Sequence, residues 1–254
     1  VTLPWRCSPQ MLEELAAGPV AGLDARIMPA EPALARAKPL DDLSVHDLVW
    51  RARWHLNRFS KADSEQAGRL LDEALRLDPN SPEALIQATF QRGWSIWAER
   101  GGEARKLEMR RLAQSAILAD PDDARAYMLA GVAESWLKNA GRAEAMLRQA
   151  VKLNPSLSMA HAELGSTLSL AGRPSLAIEP LRTALRLSPT DMQIFNTLAE
   201  LATSYLMTQC WAEAVSHADE AIIRRPAYAY AHSVKITALA HSGDVTAALT
   251  AHRD

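Results

Sequence analysis

The stretch VKLNPSLSMAHAELG, residues 151–165, decides the fold, because a similar stretch returns further along the chain. Residues 185–199 read LRLSPTDMQIFNTLA, 34 residues later. Each stretch holds the apolar end of one helical segment, then a proline, then the start of another segment. Proline cannot continue a helix, and it restricts the residue before it to extended conformations. The two stretches therefore predict helices that end and restart with a fixed period.

The proline that ends each segment recurs along most of the chain. It stands at Pro79, Pro121, Pro155, Pro189 and Pro226. The gaps of 42, 34, 34 and 37 residues fit a period of 34 with two insertions. An alanine stands five residues before each proline, at Ala74, Ala116, Ala150, Ala184 and Ala221. Small residues at a fixed phase let two helices approach closely, so we predict a helix crossing in every unit.

Each period also contains a turn between its two helices. Gly141, Gly172 and Gly243 stand near the expected end of the first helix, where glycine suits a left-handed cap. Pro174 then begins the second helix, where its missing N–H is harmless. Every unit is therefore expected to be two antiparallel helices.

These patterns predict an all-α fold, a right-handed α-solenoid of about six helix-turn-helix repeats with about twelve helices. The predicted units are 48–81, 82–123, 124–157, 158–191, 192–228 and an incomplete 229–254. The unfinished last unit indicates that the natural protein continues further. Residues 1–47 are expected to form a proline-broken segment that packs on the array, and Ser44 with Asp47 offers a capping box for the first helix.

Composition and motifs argue against several classes of function. The net charge is −2 and no basic stripe occurs, so we expect no nucleic-acid contact. No uncharged apolar stretch reaches the length of a membrane span. Two distant cysteines, Cys7 and Cys210, favour free thiols in the cytoplasm. No catalytic, phosphate-binding or metal-ligand motif appears. The chain is therefore expected to be no enzyme and to need no cofactor or metal.

At this point the sequence resembles the tetratricopeptide repeat family. The family pattern W-x2-L-G-x2-Y, A-x3-F, A and P is met at Tyr127, Ala130, Gly131, Ala143, Leu147, Ala150 and Pro155. It is met again at Leu164, Gly165, Leu168, Ala177, Leu181, Ala184 and Pro189, with His161 in place of the leading aromatic residue. The resemblance implies that the first helices of the units line a concave groove that binds a protein or peptide segment.

By that resemblance, the groove is expected to change from apolar to polar along its length. The predicted partner-binding residues are Ile86, Phe90, Trp94, Met128, Val132, Trp136, Asn196 and Glu200. Trp94 and Trp136 are the best candidates for anchors, since aromatic residues dominate many interfaces. The alternative is that the apolar members only pack between helices, because exposed apolar patches are unusual.

A looser resemblance concerns residues 23–84, with the phrases LDARIMP and LVWRARWHLNRF. They resemble the region that joins an effector domain to a tetratricopeptide half in bacterial winged-helix transcriptional activators and class III adenylate cyclases. The resemblance implies a sensing or assembly half of a larger regulator. The expected partner is a protein or peptide segment in the groove, and one source of it is the same assembly. A homodimer is a further expectation. The alternative is a free-standing adaptor that scaffolds a protein complex.

Overall fold

A computed structural model of the chain describes residues 44–58, 60–99, 102–191 and 193–253. Residues 1–43, which hold most of the predicted N-terminal segment, lie outside the described residues. Within the described ranges the chain forms twelve α-helices and no strand, which confirms the predicted all-α solenoid class. The helices are α1 Val45–Leu56, α2 Lys61–Leu77, α3 Pro82–Glu99, α4 Glu103–Ala119, α5 Ala124–Trp136, α6 Ala140–Leu153, α7 Ser158–Leu170, α8 Pro174–Leu187, α9 Ile194–Met207, α10 Trp211–Arg224, α11 Ala229–Ser242 and α12 Val245–Arg253.

The recurring proline ends the helices as predicted. Helices α2, α4, α6, α8 and α10 each end two residues before it. The residue between the helix and the proline takes an extended conformation, as Asp78 does with φ −139° and ψ 95°. This is the conformation that a following proline imposes on its neighbour, so the sequence itself ends each helix.

The chain divides into two compact units, the first ending at Glu99. In the first unit, α1, α2 and α3 pack on one another in chain order, and α1 also contacts α3. Helix α1 begins at Val45, three residues before the first predicted repeat. The predicted capping box is confirmed, since the Ser44 Oγ accepts a hydrogen bond from the Asp47 N–H at 3.2 Å and the Asp47 Oδ2 accepts one from the Ser44 N–H at 3.1 Å.

The second unit contains α4–α12. Within residues 102–253, each first helix of a pair packs on its own second helix, as α5 does on α6 and α7 on α8. Each first helix also contacts the first helix of the next pair, whereas no comparable contact joins the second helices. The helices α5, α7, α9 and α11 therefore stand side by side, and we call the surface that they form the inner wall.

The close helix crossings fall where the sequence phase predicts them. Ala150 and Ala221 are fully buried and Ala184 is 3% exposed. The crossing of α5 and α6 is so close that a Cβ placed on Gly131 would lie 2.5 Å from Leu147 Cγ. Gly165 meets Leu181 in the same way one repeat later. Small residues at these positions are thus a condition for packing the pairs.

One predicted turn is wrong. Gly172 and Gly243 take the left-handed conformation after the first helix of their pairs, with φ of 75° and 91°. Gly141 does not, because it lies inside α6. In that pair the left-handed residue is Lys138, with φ 63°, and in the α9–α10 pair it is Gln209, with φ 61°. The repeat phase fixes the left-handed position, and the glycine in this pair stands one helical turn beyond it.

Candidate functional site

The inner wall carries polar side chains, and two of them, Asn196 and Glu200, were predicted to line the groove. Ser166 on α7 and Asn196, Glu200 and Thr203 on α9 are each partly buried, so they keep some exposed surface. The wall is built by helices whose other faces pack against second helices. The face of these helices that does not pack against the second helices is therefore where the four side chains keep exposed surface.

Two carboxyl groups interact on this wall, Glu163 of α7 and Glu200 of α9. Burial among neighbouring atoms first, and the charge of Glu200 second, raise the pKa of the Glu163 carboxyl to about 7. Burial also raises the pKa of Glu200, and a hydrogen bond from Ser166 opposes that effect. Removing a carboxylate from water disfavours its charged form, and a second carboxylate nearby does the same.

No cation of the described residues pairs with Glu163 or Glu200. Other carboxylates of the second unit differ in this respect. Glu144 on α6 accepts hydrogen bonds from Arg148 at 2.9 Å and from Arg173 at 2.5 Å, and these arginines lower its pKa. Within the described ranges, Glu144 on the second helix α6 is therefore paired with arginines, whereas Glu163 and Glu200 on the inner wall have no such ion pair.

Two tyrosines at the start of α11 complete the polar part of the wall. The Tyr228 hydroxyl donates to the Asn196 Oδ1 at 2.6 Å, and the Tyr230 hydroxyl shares a hydrogen bond of 2.7 Å with Thr203 Oγ1. Burial first, and the Glu200 charge second, raise the pKa of Tyr228 to about 12. Both phenols therefore stay neutral and connect α11 to α9 by hydrogen bonds.

A small cavity opens beside Glu163. It has a volume of about 40 Å³ and lies between α7, the end of α8 and the start of α9. Its lining includes the polar side chains of Glu163, Ser188, Asp191 and Asn196. A water molecule needs at least 10–15 Å³ on a comparable measure, so the cavity has room for a small polar group.

Several predicted apolar contact residues belong to the core. Ile86 of the first unit is 3% exposed, and Met128 and Val132 on α5 are 4% and 8% exposed. Their side chains chiefly fill the space between helices, as the alternative interpretation held. Phe90 and Trp94 on α3 are partly buried, and so is Trp136 at the end of α5. That the eight residues named from the sequence contact a partner remains a prediction.

Sequence reasoning missed Glu163, Tyr228 and Tyr230. Glu163 stands three residues before Ser166, so helical periodicity puts both on one face of α7. This spacing could have associated Glu163 with Ser166 from the sequence alone. Tyr228 contacts Asn196 across 32 residues of sequence, and Tyr230 contacts Thr203 across 27. Only the stacking of two repeats brings them together.

The inner wall offers hydrogen-bond acceptors and negative charge, whereas two other features are absent from the described residues. Among the described residues, no three histidine, cysteine, aspartate or glutamate side chains cluster closely enough to hold a metal ion. None of the described helices has both the length and the apolar character needed to cross a bilayer. The acceptors on the wall are the carboxyl groups of Glu163 and Glu200, the tyrosine hydroxyls and the Asn196 amide.

Solved structures share this architecture. A thermophilic tetratricopeptide repeat protein of Thermus thermophilus aligns with 74% of this chain and 97% of its own, at 20% identity and a TM-score of 0.58. PilF of Pseudomonas aeruginosa aligns with 79% of this chain and 86% of its own, at 20% identity and a TM-score of 0.60. A chain of the APC/C hetero-tetramer Cut9–Hcn1 aligns with 98% of this chain at 16% identity and a TM-score of 0.73. This chain spans 46% of the length of that one.

No curated protein matches the chain by sequence. The family model described as tetratricopeptide repeat matches residues 137–191 and 200–252, which hold most of the inner wall from α7 onward. The solved structures above extend the same fold to the preceding helices. The resemblance read from the phased prolines is thus confirmed, and residues 137–191 and 200–252 are tetratricopeptide repeats.

Proposed function

We propose that the chain is a non-catalytic protein-interaction module whose inner wall binds a segment of a partner protein. One observation carries the proposal. The side-by-side first helices keep aromatic, amide and carboxyl side chains partly exposed at Trp136, Asn196 and Glu200. Tetratricopeptide repeats mediate contacts between proteins, and a wall of parallel helices suits an extended or helical peptide.

The proposed contacts differ along the wall. At its start Trp136 supplies aromatic surface. Met128 and Val132 contribute little there, because their side chains are buried in the core. Further along, Asn196 and Glu200 supply an amide and a carboxyl group. Such a wall favours a segment with an apolar end and a polar or cationic end. In the first unit, the partly buried Phe90 and Trp94 are proposed as further apolar contacts.

The wider setting is also a proposal. The sequence of residues 23–84 favours the sensing or assembly half of a larger cytoplasmic bacterial regulator. In such a regulator, binding of a partner to the inner wall would be transmitted to an effector domain. The rival is a free-standing adaptor, and either could act as a homodimer. The full open reading frame decides between them. An effector domain encoded upstream supports the regulator, and a start codon directly before Val1 supports the adaptor.

Selection from a random-peptide library on the purified chain tests the binding function. We expect peptides whose affinity drops by about 2 kcal/mol with Trp136→Ala, the usual loss for an aromatic anchor. Glu200→Ala should mainly change which peptides bind. Trp211→Ala is the matched control, since Trp211 begins the second helix α10 and stacks on His241.

Stability must be measured on the same variants by thermal melting. If Trp136→Ala lowers the melting temperature and leaves the affinity of the folded molecule unchanged, Trp136 is a core residue. Failure to select any peptide, or peptides that are insensitive to both wall substitutions, would contradict the proposed function.

A further inference from the structure

We propose that the turns between paired helices in the second unit form a surface that binds an anionic lipid bilayer. The surface comprises residues 137–142, residues 170–176 and Met207, and we call it the turn edge. The inference goes beyond the proposed function, because no residue of the turn edge is among the proposed partner contacts. A membrane contact at this edge would leave the inner wall open to its partner.

The first step concerns large apolar side chains that stand in water. Leu170 at the end of α7 is 79% exposed, Leu176 at the start of α8 is 56% exposed and Met207 at the end of α9 is 49% exposed. Leu170 and Met207 occupy equivalent places, since each stands two residues before the left-handed residue of its turn. The Ser169 Oγ donates to the Met207 Sδ at 3.6 Å, which brings the two turns together. Single exposed apolar residues are normal on a protein surface, whereas a group of them marks an interaction surface.

The opposite ends of the helix pairs provide a comparison. Leu118 and Ile223 are 83% and 77% exposed, but they stand singly at the ends of α4 and α10, with two helix pairs between them. Leu118 is also followed by Asp120 and Asp122. The turn edge differs, because its exposed apolar side chains lie in neighbouring turns.

The second step is the charge of the turns. Residues 137–142 and 171–176 hold three cations, Lys138, Arg142 and Arg173, and no acidic residue. Lys138 and Arg142 are exposed, and within the described ranges neither of them forms an ion pair. Negatively charged lipid headgroups attract lysine and arginine side chains that stand near the membrane surface.

One acidic side chain, Glu144, follows these cations on α6. It pairs with Arg173 at 2.5 Å and with Arg148 at 2.9 Å. Its charge is therefore balanced by these two arginines, and Lys138 and Arg142 keep theirs. The turn edge is thus basic, although the whole chain has a net charge of −2.

The third step decides between a lipid surface and a protein segment. A bound segment needs a groove that encloses its side chains, whereas Leu170 and Leu176 protrude from the ends of their helices, as their exposure shows. A bilayer adapts to protruding side chains. Apolar tips enter the boundary between headgroups and acyl chains, while lysine and arginine keep their charged ends among the headgroups. Protruding leucines beside unpaired cations therefore fit an anionic bilayer.

Co-sedimentation of the full chain with lipid vesicles tests the turn edge. We expect binding to vesicles of equal parts phosphatidylcholine and phosphatidylglycerol at low salt, and none to vesicles of phosphatidylcholine alone. Salt at about 0.5 M should weaken the binding, because it screens exposed charges. The double variant Lys138→Glu with Arg142→Glu should weaken binding about tenfold or more. Leu170→Ser with Leu176→Ser should also weaken binding about tenfold or more, because the apolar tips no longer enter the bilayer.

Two matched controls lie at the opposite ends of the helix pairs. Ile223→Ser removes an apolar side chain that is 77% exposed, and Arg224→Glu reverses an exposed charge beside it. Both should leave vesicle binding unchanged, and circular dichroism confirms that each variant is folded. Absence of binding by the parent chain, equal binding to vesicles of phosphatidylcholine alone, or equal losses in control and turn-edge variants overturns the proposal. If vesicles do not bind but acidic peptides selected on the chain lose affinity in Leu170→Ser, the turn edge contacts a protein instead.

Discussion

At the scale of single residues, the closest helix crossings give the sharpest prediction. Gly131→Ala should destabilise the chain by about 1–3 kcal/mol, because the new Cβ would lie 2.5 Å from Leu147 Cγ and 3.2 Å from the Ala143 carbonyl oxygen. Gly141→Ala is the matched control in the partner helix, where a Cβ meets nothing within 4 Å. That change should be neutral or stabilising by up to about 1 kcal/mol. Urea unfolding measures both, and equal effects of the two substitutions would show that the crossing is misplaced.

Glu163 makes a second residue-scale prediction, on the pH dependence of stability. Its pKa is raised from 4.5 to about 7, so the folded chain binds more protons than the unfolded chain between these pH values. Stability contributed by Glu163 is therefore present at low pH and lost as the pH rises through that window. Glu163→Gln should abolish this decline, a difference on the order of 1 kcal/mol or more between the ends of the window.

The control for this pH dependence has the opposite sign. The pKa of Glu144 is lowered, first by its hydrogen bond to Arg173. Its contribution is present above the unfolded pKa and is lost as the pH falls through the lower, folded value. Glu144→Gln should therefore cost stability at neutral pH and not in acid. If Glu163→Gln and Glu144→Gln changed the urea-unfolding free energy with the same pH slope, the environment assigned to Glu163 would be wrong.

At the scale of elements, the turn between paired helices is held by one left-handed residue. Lys138 adopts φ 63° where the next repeat has Gly172 at φ 75°. A residue with a Cβ pays roughly 1–2 kcal/mol in this conformation, and glycine does not. Glycine also increases the conformational entropy of the unfolded chain, which opposes this gain. The net effect of Lys138→Gly should therefore be a rise in stability of up to about 1 kcal/mol. Gly172→Lys, the reverse exchange, should lower the melting temperature, and a rise in both variants would exclude conformational strain as the cause.

Helix positions were predictable and some turns and contacts were not. Proline ends a helix by its own covalent structure, so the helix ends before Pro79 and Pro155 could be predicted without knowledge of the rest of the chain. The buried alanines kept the same phase as these prolines. The left-handed turn at Lys138 carries no glycine, so only the repeat phase marks it. The raised pKa of Glu163 was not predictable, because it depends first on burial in the folded chain and then on the charge of Glu200 on α9.

At the scale of the molecule, residues 102–253 are held by contacts between neighbours. A helix pair contacts the pair before it and the pair after it through the inner wall, and α12 contacts α11. Stability in such an array is close to a sum of repeat terms and nearest-neighbour interfaces. Loss of stability in one pair should therefore spread to the adjacent pairs and fade beyond them. The inner wall at Glu163 and Glu200 depends on two such interfaces, those that join α7 to α9 and α9 to α11.

Native-state hydrogen exchange of Gly165→Ala tests this locality. The added Cβ would meet Leu181 and separate α7 from α8, so amides of these two helices should exchange fastest relative to the parent chain. Each loss of about 1.4 kcal/mol in local stability should speed exchange about tenfold, because these amides exchange through local opening of the helices. The helices α5, α6, α9 and α10 should change less, and α12 should not change. Gly131→Ala provides the comparison, since it should shift the same pattern one repeat toward the N-terminus, with its centre on α5 and α6. A uniform acceleration over residues 102–253 in both variants would mean that the unit opens as a single cooperative body, and that the nearest-neighbour account of its stability is wrong.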